Sequence, residues 1–370
     1  MIEETKYYST KIGELANGCK SCVRGCKVVI YSTGICARNC YFCPTSDEKT
    51  KTDVTFANER KVNNTDNNIM IKEIIEEVER QNARGAGITG GDPLARLERT
   101  VFIIRKLKEK YGKTFHIHLY TIPNLVDESK LSQLYNAGLD EIRFHPDLDD
   151  DSLWNNISLA KKFSWDVGVE IPSIPGKEKE TKKLVKFIEN KVDFLNLNEL
   201  EIADNEASKL NEMGMKTKDE LSYAVKGSEE LALEIINFIE NEKLKLNAHY
   251  CTARLKDGIQ LTNRILRTGK NVKKDFEKIT EEGLIVRGLI EMNENLNESE
   301  RKLKLKELAE KLKNQNIKNI VVDENKDRII TSVSSAKIIS KKNKIFKNIK
   351  CAISTEYPTF DSLCVEKEYL

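Results

Sequence analysis

Three cysteines stand in Ile35-Cys36-Ala37-Arg38-Asn39-Cys40-Tyr41-Phe42-Cys43-Pro44, spaced Cys-x3-Cys-x2-Cys. Thiolates this close cannot all point at one centre from a regular helix or strand. From a loop wrapped around a metal cluster they can. Iron–sulfur clusters are held by cysteine thiolates, and a cubane has four irons, so three cysteines leave one iron without a protein ligand. An open coordination position is what a reactive metal site keeps and a structural site closes. A zinc knuckle or a set of buried thiols is the competing reading, but zinc ligands usually come as two Cys-x2-4-Cys or Cys/His pairs.

Six of the nine cysteines fall between positions 19 and 43. Cys19, Cys22 and Cys26 form Cys-x2-Cys-x3-Cys ahead of the first strand, and Cys251 lies near the end of the last parallel strand beside His249. They suggest a second metal site, an iron–sulfur cluster or zinc, using Cys19, Cys22 and either Cys26 or Cys251. Neutral thiols packing as small hydrophobes compete with it. Cys351 and Cys364 are isolated. About fifty residues after the cysteine loop comes Ile88-Thr89-Gly90-Gly91-Asp92-Pro93. Glycine lets backbone approach a ligand closely, although a paired-glycine corner between strand and helix needs no ligand.

In this order, each after a strand, the two motifs resemble those of the radical SAM superfamily. Its hallmark is Cys-x3-Cys-x2-Cys with an aromatic before the last cysteine, here Phe42, and then a Gly-Gly-Glu-Pro-like turn, here with Asp92 in place of Glu. The resemblance covers roughly residues 15–265. More narrowly, the chain resembles an archaeal-type group related to pyruvate formate-lyase activating enzymes, through Gly87–Leu94, Phe115–Thr121, Glu141–Pro146 and Glu170–Gly176. The resemblance implies a [4Fe-4S] cluster on Cys36, Cys40 and Cys43, with S-adenosyl-L-methionine on the fourth iron. It implies reductive cleavage to a 5′-deoxyadenosyl radical that takes hydrogen from a substrate, fed by a donor such as ferredoxin or flavodoxin. Phe42, Gly90, Gly91 and Asp92 would adjoin the cofactor, and Glu170 falls where the family contacts its methionyl or ribose part. No general acid or base is named.

The elements that position these residues repeat as strand, turn and amphipathic helix. Strands are expected at Lys27–Ser32, Ala86–Thr89, Phe115–Thr121, Glu141–His145, Asp166–Ile171, Phe194–Glu199 and Leu244–Tyr250. Helices are expected at Asn68–Gln81 and Thr100–Tyr111. Alternation at this spacing implies parallel βα units. Fully covered parallel strands read as continuous apolar runs, yet five of these alternate. His116, His118 and Tyr120 oppose Phe115, Ile117 and Leu119; Arg143 and His145, Gly168 and Glu170, Asn196 and Asn198, and Asn247 and His249 repeat the pattern. A buried polar face is costly unless partnered, so an open lumen is favoured over a two-faced, doubly wound sheet. The lumen would take a polar substrate, its candidate contacts being His116, His118, Arg143, His145 and His249.

The reading is therefore an α/β chain: a Cys-rich extension over 1–26, a partial (βα)6–7 TIM-like barrel over 27–280, and a small α+β domain over 281–370. Ala203–Lys226 reads as an insertion of short helices, and Leu255–Thr268 and Asn271–Ile279 as closing helices. Beyond lie a strand at Leu284–Glu291, a helix at Glu298–Leu312, and strands at Ile317–Val322, Arg328–Val333, Lys337–Ile339 and Cys351–Thr355.

Composition bounds the rest. With 61 Lys+Arg against 59 Asp+Glu in 370 residues, bulk charge does not hold the chain on nucleic acid or membrane. Mean hydropathy is −0.50, no apolar run is long enough to span a bilayer, and the polar start is unlike a signal peptide, so a cytoplasmic place is the default. Residues 300–350 carry fifteen Lys/Arg against six Asp/Glu, a patch that could meet RNA phosphates or simply face solvent. Substrate classes left open are a small polar molecule, a partner polypeptide or tRNA. The opposing class is a non-enzymatic, metal-binding, RNA-associating module, which would need neither the glycine turn nor the polar strand faces.

Overall fold

The computed structural model describes residues 1–292, 297–341 and 348–370. The chain divides into two compact units, Met1–Arg264 and Ile265–Leu370.

The first unit opens with a hairpin, β1 (Ile2–Thr5) and β2 (Ser9–Ile12), and a short helix α1 (Asn17–Cys22). The parallel strands follow: β3 (Lys27–Tyr31), β6 (Gly85–Thr89), β7 (His116–Thr121), β8 (Glu141–Phe144), β9 (Asp166–Ser173), β10 (Phe194–Glu199) and β11 (Asn247–Cys251). A second hairpin, β4 (Thr55–Ala57) and β5 (Arg60–Val62), lies between β3 and β6. The helices are α2 (Asn67–Gln81), α3 (Leu97–Tyr111), α4 (Glu128–Ala137), α5 (Glu178–Ile188) and α6 (Ser228–Asn241). Asp66 starts α2 by accepting from the Asn68 and Ile69 amides, and Asn82, in the left-handed region, ends it. These are ordinary helix boundaries.

The seven parallel strands run β3-β6-β7-β8-β9-β10-β11, in chain order with no reversal. Right-handed crossovers between sequential neighbours put the crossover helices α2 to α6 on one face. A doubly wound sheet instead reverses its strand order and covers both faces. The helix-facing side chains form one core that includes Val28, Ile30, Ile88, Ile117, Leu119, Ile142, Phe144, Val167, Val169, Leu195, Leu197 and Ala248. The other face encloses the lumen. The barrel is partial: β2 pairs antiparallel with β11, β4 antiparallel with β3, and the sheet ends in β1 and β5.

In the second unit, α7 (Thr262–Val272) runs in from the first. β12 (Lys278–Ile279), β13 (Ile285–Met292), α8 (Glu298–Asn314), β14 (Val321–Asp323), β15 (Arg328–Thr331), α9 (Val333–Lys341), β16 (Ile349–Glu356) and β17 (Cys364–Tyr369) complete it. Its sheet is antiparallel, ordered β14-β15-β13-β16-β17 with β12 on β13. Leu305, Leu308, Ala309 and Leu312 of α8 pack on Ile290, Ile329 and Cys351.

Several expectations need correction. Lys337–Ile339 is helical, within α9, because Ser335, Ala336 and Ile339 share a buried helix face. Asn271–Ile279 is not a helix: α7 ends at Val272, and Lys278–Ile279 pairs with β13. Ala203–Lys226 contains no helix. It is a run of turns closed by the bridges Glu201↔Ala224 and Thr217↔Val225, and it packs through Leu210 and Val225. The basic run Lys337–Lys350 lies outside the described residues from 342 to 347.

Candidate active site

The cysteine loop leaves the C-terminal end of β3 and is tied down along its length. At its start, Gly91 N–H donates to Thr33 O and Asp92 N–H to Ile35 O. A Cβ on Gly90 would meet Thr33 O at 2.4 Å, and one on Gly91 would meet the carbonyl oxygens of Gly34 and Ile35 at 2.6 Å. The paired glycines are thus needed for the close approach of two backbones. In its middle, Arg38 donates to His145 O at 3.0 Å and pairs with Asp147 at 2.9 Å. At its far end, Asn205 donates to the carbonyls of Cys43 and Thr45. Tyr41 and Phe42 pack with Ile174, Leu200 and Leu210, so the 203–226 insertion buttresses the loop.

One cavity of about 980 Å³ joins the pieces. Cys36, Cys40 and Cys43 line it with Phe42, Gly90, Gly91, His118, His145, Glu170 and Cys22. Burial pushes the Cys36 and Cys40 thiols up, Cys40 to about 11, against the pull of Arg38. The three sulfurs do not all lie within 4.8 Å of one another: among the described residues only His116, Glu141 and Asp166 form such a set. A cubane binds each thiolate on a different iron. An all-thiol donor set beside a cavity of this size suits a cluster with a bound nucleotide.

Not every expected residue reaches the cavity. Asp92 is buried beneath it. Its carboxylate accepts from Leu94 N–H at 2.7 Å, Ile122 N–H at 2.8 Å and the Thr121 hydroxyl at 2.9 Å, so it locks the glycine turn to the end of β7. Burial raises its pKa to about 6. Arg143 was expected to meet substrate, but its guanidinium is already committed. It binds Glu141, donates to Glu170 at 2.7 Å and to Tyr120 Oη at 3.1 Å, and reaches Cys19 Sγ at 3.5 Å. His116 sits at the first residue of β7, its Nδ1 at 2.6 Å from Lys27 Nζ. His249 Nε2 lies 3.1 Å from Ser9 Oγ. The His116–Glu141–Asp166 set is held by the chain's own groups, since Lys27, Arg143 and Asn17 each bind one member.

Glu170 does line the cavity, fully engaged: Asn196 and Asn198 donate to it at 2.8 and 2.9 Å beside Arg143. Burial would raise its pKa, but Arg143 and the two amides outweigh that and hold the carboxyl below its ordinary value. His145 donates from Nδ1 to Glu170 O at 2.9 Å, because a carbonyl only accepts. Its Nε2 is then an acceptor. Burial, then Arg38, lowers its pKa to about 4, so the ring is neutral at physiological pH. Phe42 lies against it, ring centres 5.7 Å apart.

The sequence pattern of the Radical SAM superfamily matches residues 30–166. A protein of Methanocaldococcus jannaschii, whose name provisionally makes it a glycyl-radical enzyme activating enzyme, is 39% identical over 378 residues, covering 99% of this chain and 96% of that one. The chain belongs to the radical SAM superfamily. As a radical SAM enzyme it is no mere metal-binding module. Among solved structures it is similar to the radical S-adenosylmethionine methyltransferase TsrM from Kitasatospora setae, solved with tryptophan and a SAM analogue. Identity there is 12%, over 74% of this chain and 58% of that one, with a TM-score of 0.40. Methylornithine synthase (PylB) is 16% identical over 61% of this chain and 70% of that one, with a TM-score of 0.39. At these scores the likeness adds nothing to the fold read from the chain itself. No helix among the described residues is long and apolar enough to cross a membrane.

Some residues of this candidate site escaped the sequence reading. Arg38 sits inside the motif, and its charge between two cysteines was the available signal. Lys27, Tyr120 and Asn198 also line the cavity. A lysine opening an otherwise apolar strand marked Lys27 as lumen-facing, while Tyr120 and Asn198 were placed on the polar face without a role.

Proposed function

We propose that this chain is an activating enzyme that cleaves S-adenosylmethionine reductively and takes a hydrogen atom from a glycine of a partner polypeptide. The observation that carries the chemistry is the single cavity lined at once by Cys36, Cys40, Cys43, Gly90 and Gly91. The substrate class rests on the name of the relative aligned along nearly its whole length. When bound, a [4Fe-4S] cluster with S-adenosylmethionine supplies one-electron cleavage to a carbon radical able to abstract hydrogen.

The chain's own residues bind and orient. Cys36, Cys40 and Cys43 would supply three thiolates to the cluster and would leave one metal position for the nucleotide. Gly90 and Gly91 fix the loop against the turn that Asp92 anchors. Glu170, ionised and immobilised, presents a carboxylate edge in the cavity, and neutral His145 offers an acceptor nitrogen beside Phe42. The 203–226 insertion covers the loop and limits water there. A reduced ferredoxin or flavodoxin would donate the electron, in a reducing compartment such as the cytoplasm, where free thiols persist.

The test is anaerobic reconstitution with iron and sulfide, then dithionite, S-adenosylmethionine and extract protein labelled with α-deuterated glycine. Expected are 5′-deoxyadenosine carrying deuterium, and none from the Cys36→Ala/Cys40→Ala/Cys43→Ala variant. An iron-free wild type, or no 5′-deoxyadenosine, overturns the cleavage. Unlabelled 5′-deoxyadenosine formed only with the small-molecule fraction overturns the polypeptide substrate.

A further inference from the structure

Cys19 and Cys22 stand on α1 at the strands' N-terminal ends, where Gly18 N–H donates to Glu141, the first residue of β8. Cys251 ends β11, at the strands' other end, and the Cys26 thiol turns back to Arg24 O at 3.5 Å. The motif cysteines differ from these in one respect: a cation stands among them. Arg38 lies between Cys36 and Cys40, with its side chain only 12% exposed. Its backbone N–H donates to Cys36 Sγ at 3.4 Å, its Nη1 donates to His145 O at 3.0 Å, and its Nη2 pairs with Asp147 at 2.9 Å. Arg38 lines the large cavity together with all three motif cysteines. With Cys40 it also lines a smaller cavity of about 190 Å³ that reaches Asp147. Lys27, Lys51, Lys209 and Lys256 line the large cavity too, but none stands between two of the cysteines.

Such a cation has a definite consequence for a cluster bound there. Three thiolates are anionic, and reduction adds one more negative charge to the same group. The potentials of iron–sulfur clusters follow net charge, hydrogen bonds to the sulfurs and solvent exposure. A fixed positive charge favours the reduced form over the oxidised form, and the preference grows where water is scarce. Against the burial that raises the Cys36 and Cys40 thiols, the charge of Arg38 already draws both towards the thiolate. Asp147 works the other way. Its carboxylate, 41% exposed, offsets part of the guanidinium charge.

We propose that Arg38 sets the electron affinity of the cluster on Cys36, Cys40 and Cys43, with Asp147 as its counterweight. Arg38 acts through the cluster and touches no substrate, so it is a positioning residue: it brings one-electron reduction within reach of the donor. This role rests on the three cysteines being cluster ligands, as in the proposed function.

The test is an EPR-monitored redox titration with dithionite of the anaerobically reconstituted full chain, without S-adenosylmethionine. Arg38→Met should lower the ratio of reduced to oxidised cluster at a fixed potential by about tenfold, a midpoint about 59 mV more negative for a one-electron couple. Asp147→Asn should shift the midpoint the opposite way, and by less, because solvent already screens that carboxylate. Arg38→Lys keeps a cation without the planar fork and should stay closer to the wild type than Arg38→Met. Arg38→Met/Asp147→Asn, with both charges gone, should fall between the two single variants. A strap that merely holds the loop would move Arg38→Met and Asp147→Asn in the same direction, since both break one pair, and that result overturns the proposal. If Arg38→Met takes up no iron, Asp147→Asn decides, and a midpoint at or below that of the wild type overturns it. A wild type whose reducible cluster ignores both charges overturns this role and spares the proposed function, whereas an iron-free wild type overturns both.

Discussion

Replacing Arg143 with methionine should destabilise the first unit strongly, and more so at alkaline pH. The side chains of Arg143, Glu141 and Glu170 are 3%, 0% and 12% exposed, so the guanidinium is the near neutraliser of two buried carboxylates. Removing one partner of a buried pair costs about 3–5 kcal/mol, because a bare charge stays behind. Glu170 keeps Asn196 and Asn198, and Glu141 keeps the Gly18 N–H, which places the loss near the lower end, about 3–4 kcal/mol. Methionine retains the contact with the Tyr120 and Phe194 rings, whose centres lie 5.4 Å from the guanidinium. At about 2 °C per kcal/mol for a unit of this size, Tm falls by about 6–8 °C. In the wild type Glu170 is held below its unfolded pKa, so its contribution is present above that pKa and fades on acidification. In the variant burial is opposed only by the Asn196 and Asn198 amides, so the pKa rises, and the folded state takes up a proton more readily as pH falls and recovers stability. The gap between the two proteins therefore narrows from about pH 8 to about pH 5.5. Both tryptophans, Trp154 and Trp165, lie in the first unit, so urea unfolding followed by their fluorescence reads this unit alone. Glu170→Gln in the variant background should return part of the loss. A deficit below about 1 kcal/mol, or one that grows on acidification, would refute the picture of a dry, mutually neutralised lumen.

Three further outcomes are expected. Gly91→Ala pushes a Cβ into two backbone carbonyls that cannot yield, so iron uptake on reconstitution should fall while the unfolding free energy drops by only about 1–3 kcal/mol; unchanged iron content would sink that role. In the second unit, Glu356 accepts from Arg328 at 2.5 and 2.8 Å, Ser354 at 2.9 Å and Arg287 at 3.3 Å. Glu356→Gln should cost about 3 kcal/mol at neutral pH. Although burial opposes it, Arg328 lowers the Glu356 pKa, so the deficit should shrink as pH falls below about 4.3, read by thermal unfolding. His145, with its pKa near 4, should show no imidazole titration by NMR between about pH 8 and about pH 5. The unfolded chain takes that proton first, so His145 makes stability decline from about pH 6.5 towards about pH 4, and an ordinary titration near pH 6.5 would refute its buried, neutral state.

The parallel strands and their order of faces were legible because period-two alternation is a local property of the chain. Ile117 and Leu119 against His118 and Tyr120 read directly as core against lumen. The edge hairpins β1–β2 and β4–β5 were missed, since strands of three or four residues carry too short a pattern. Lys337–Ile339 failed for a related reason: a three-residue apolar run fits strand or helix, and only burial of Ala336 and Ile339 on one face decided it. At the site, the cysteine spacing and the glycine pair could be read from residue types alone. The roles of Asp92 and Arg143 could not, because both depend on partners 29 to 30 and 23 to 27 residues away that only the fold brings close.

That distinction narrows where specificity can reside. A polar strand face advertises buried polar groups without saying whether they serve a ligand or one another. Here the lower part of the lumen serves itself: Lys27 binds His116, Arg143 binds Glu141 and Glu170, and Asn196 binds Glu170 and Cys19. The charged members of this set, Lys27, Arg143, Glu141 and Glu170, cannot turn to a substrate without breaking a buried pair, at a cost of several kcal/mol. The groups with capacity in hand are cavity-lining and higher: the acceptor nitrogen of His145, the ring of Phe42 and the exposed edge of Asn198. A substrate therefore has to reach the strands' C-terminal ends beside the cysteine loop. An extended backbone segment of a partner chain can do that, meeting acceptors and an aromatic ring without needing a counter-charge.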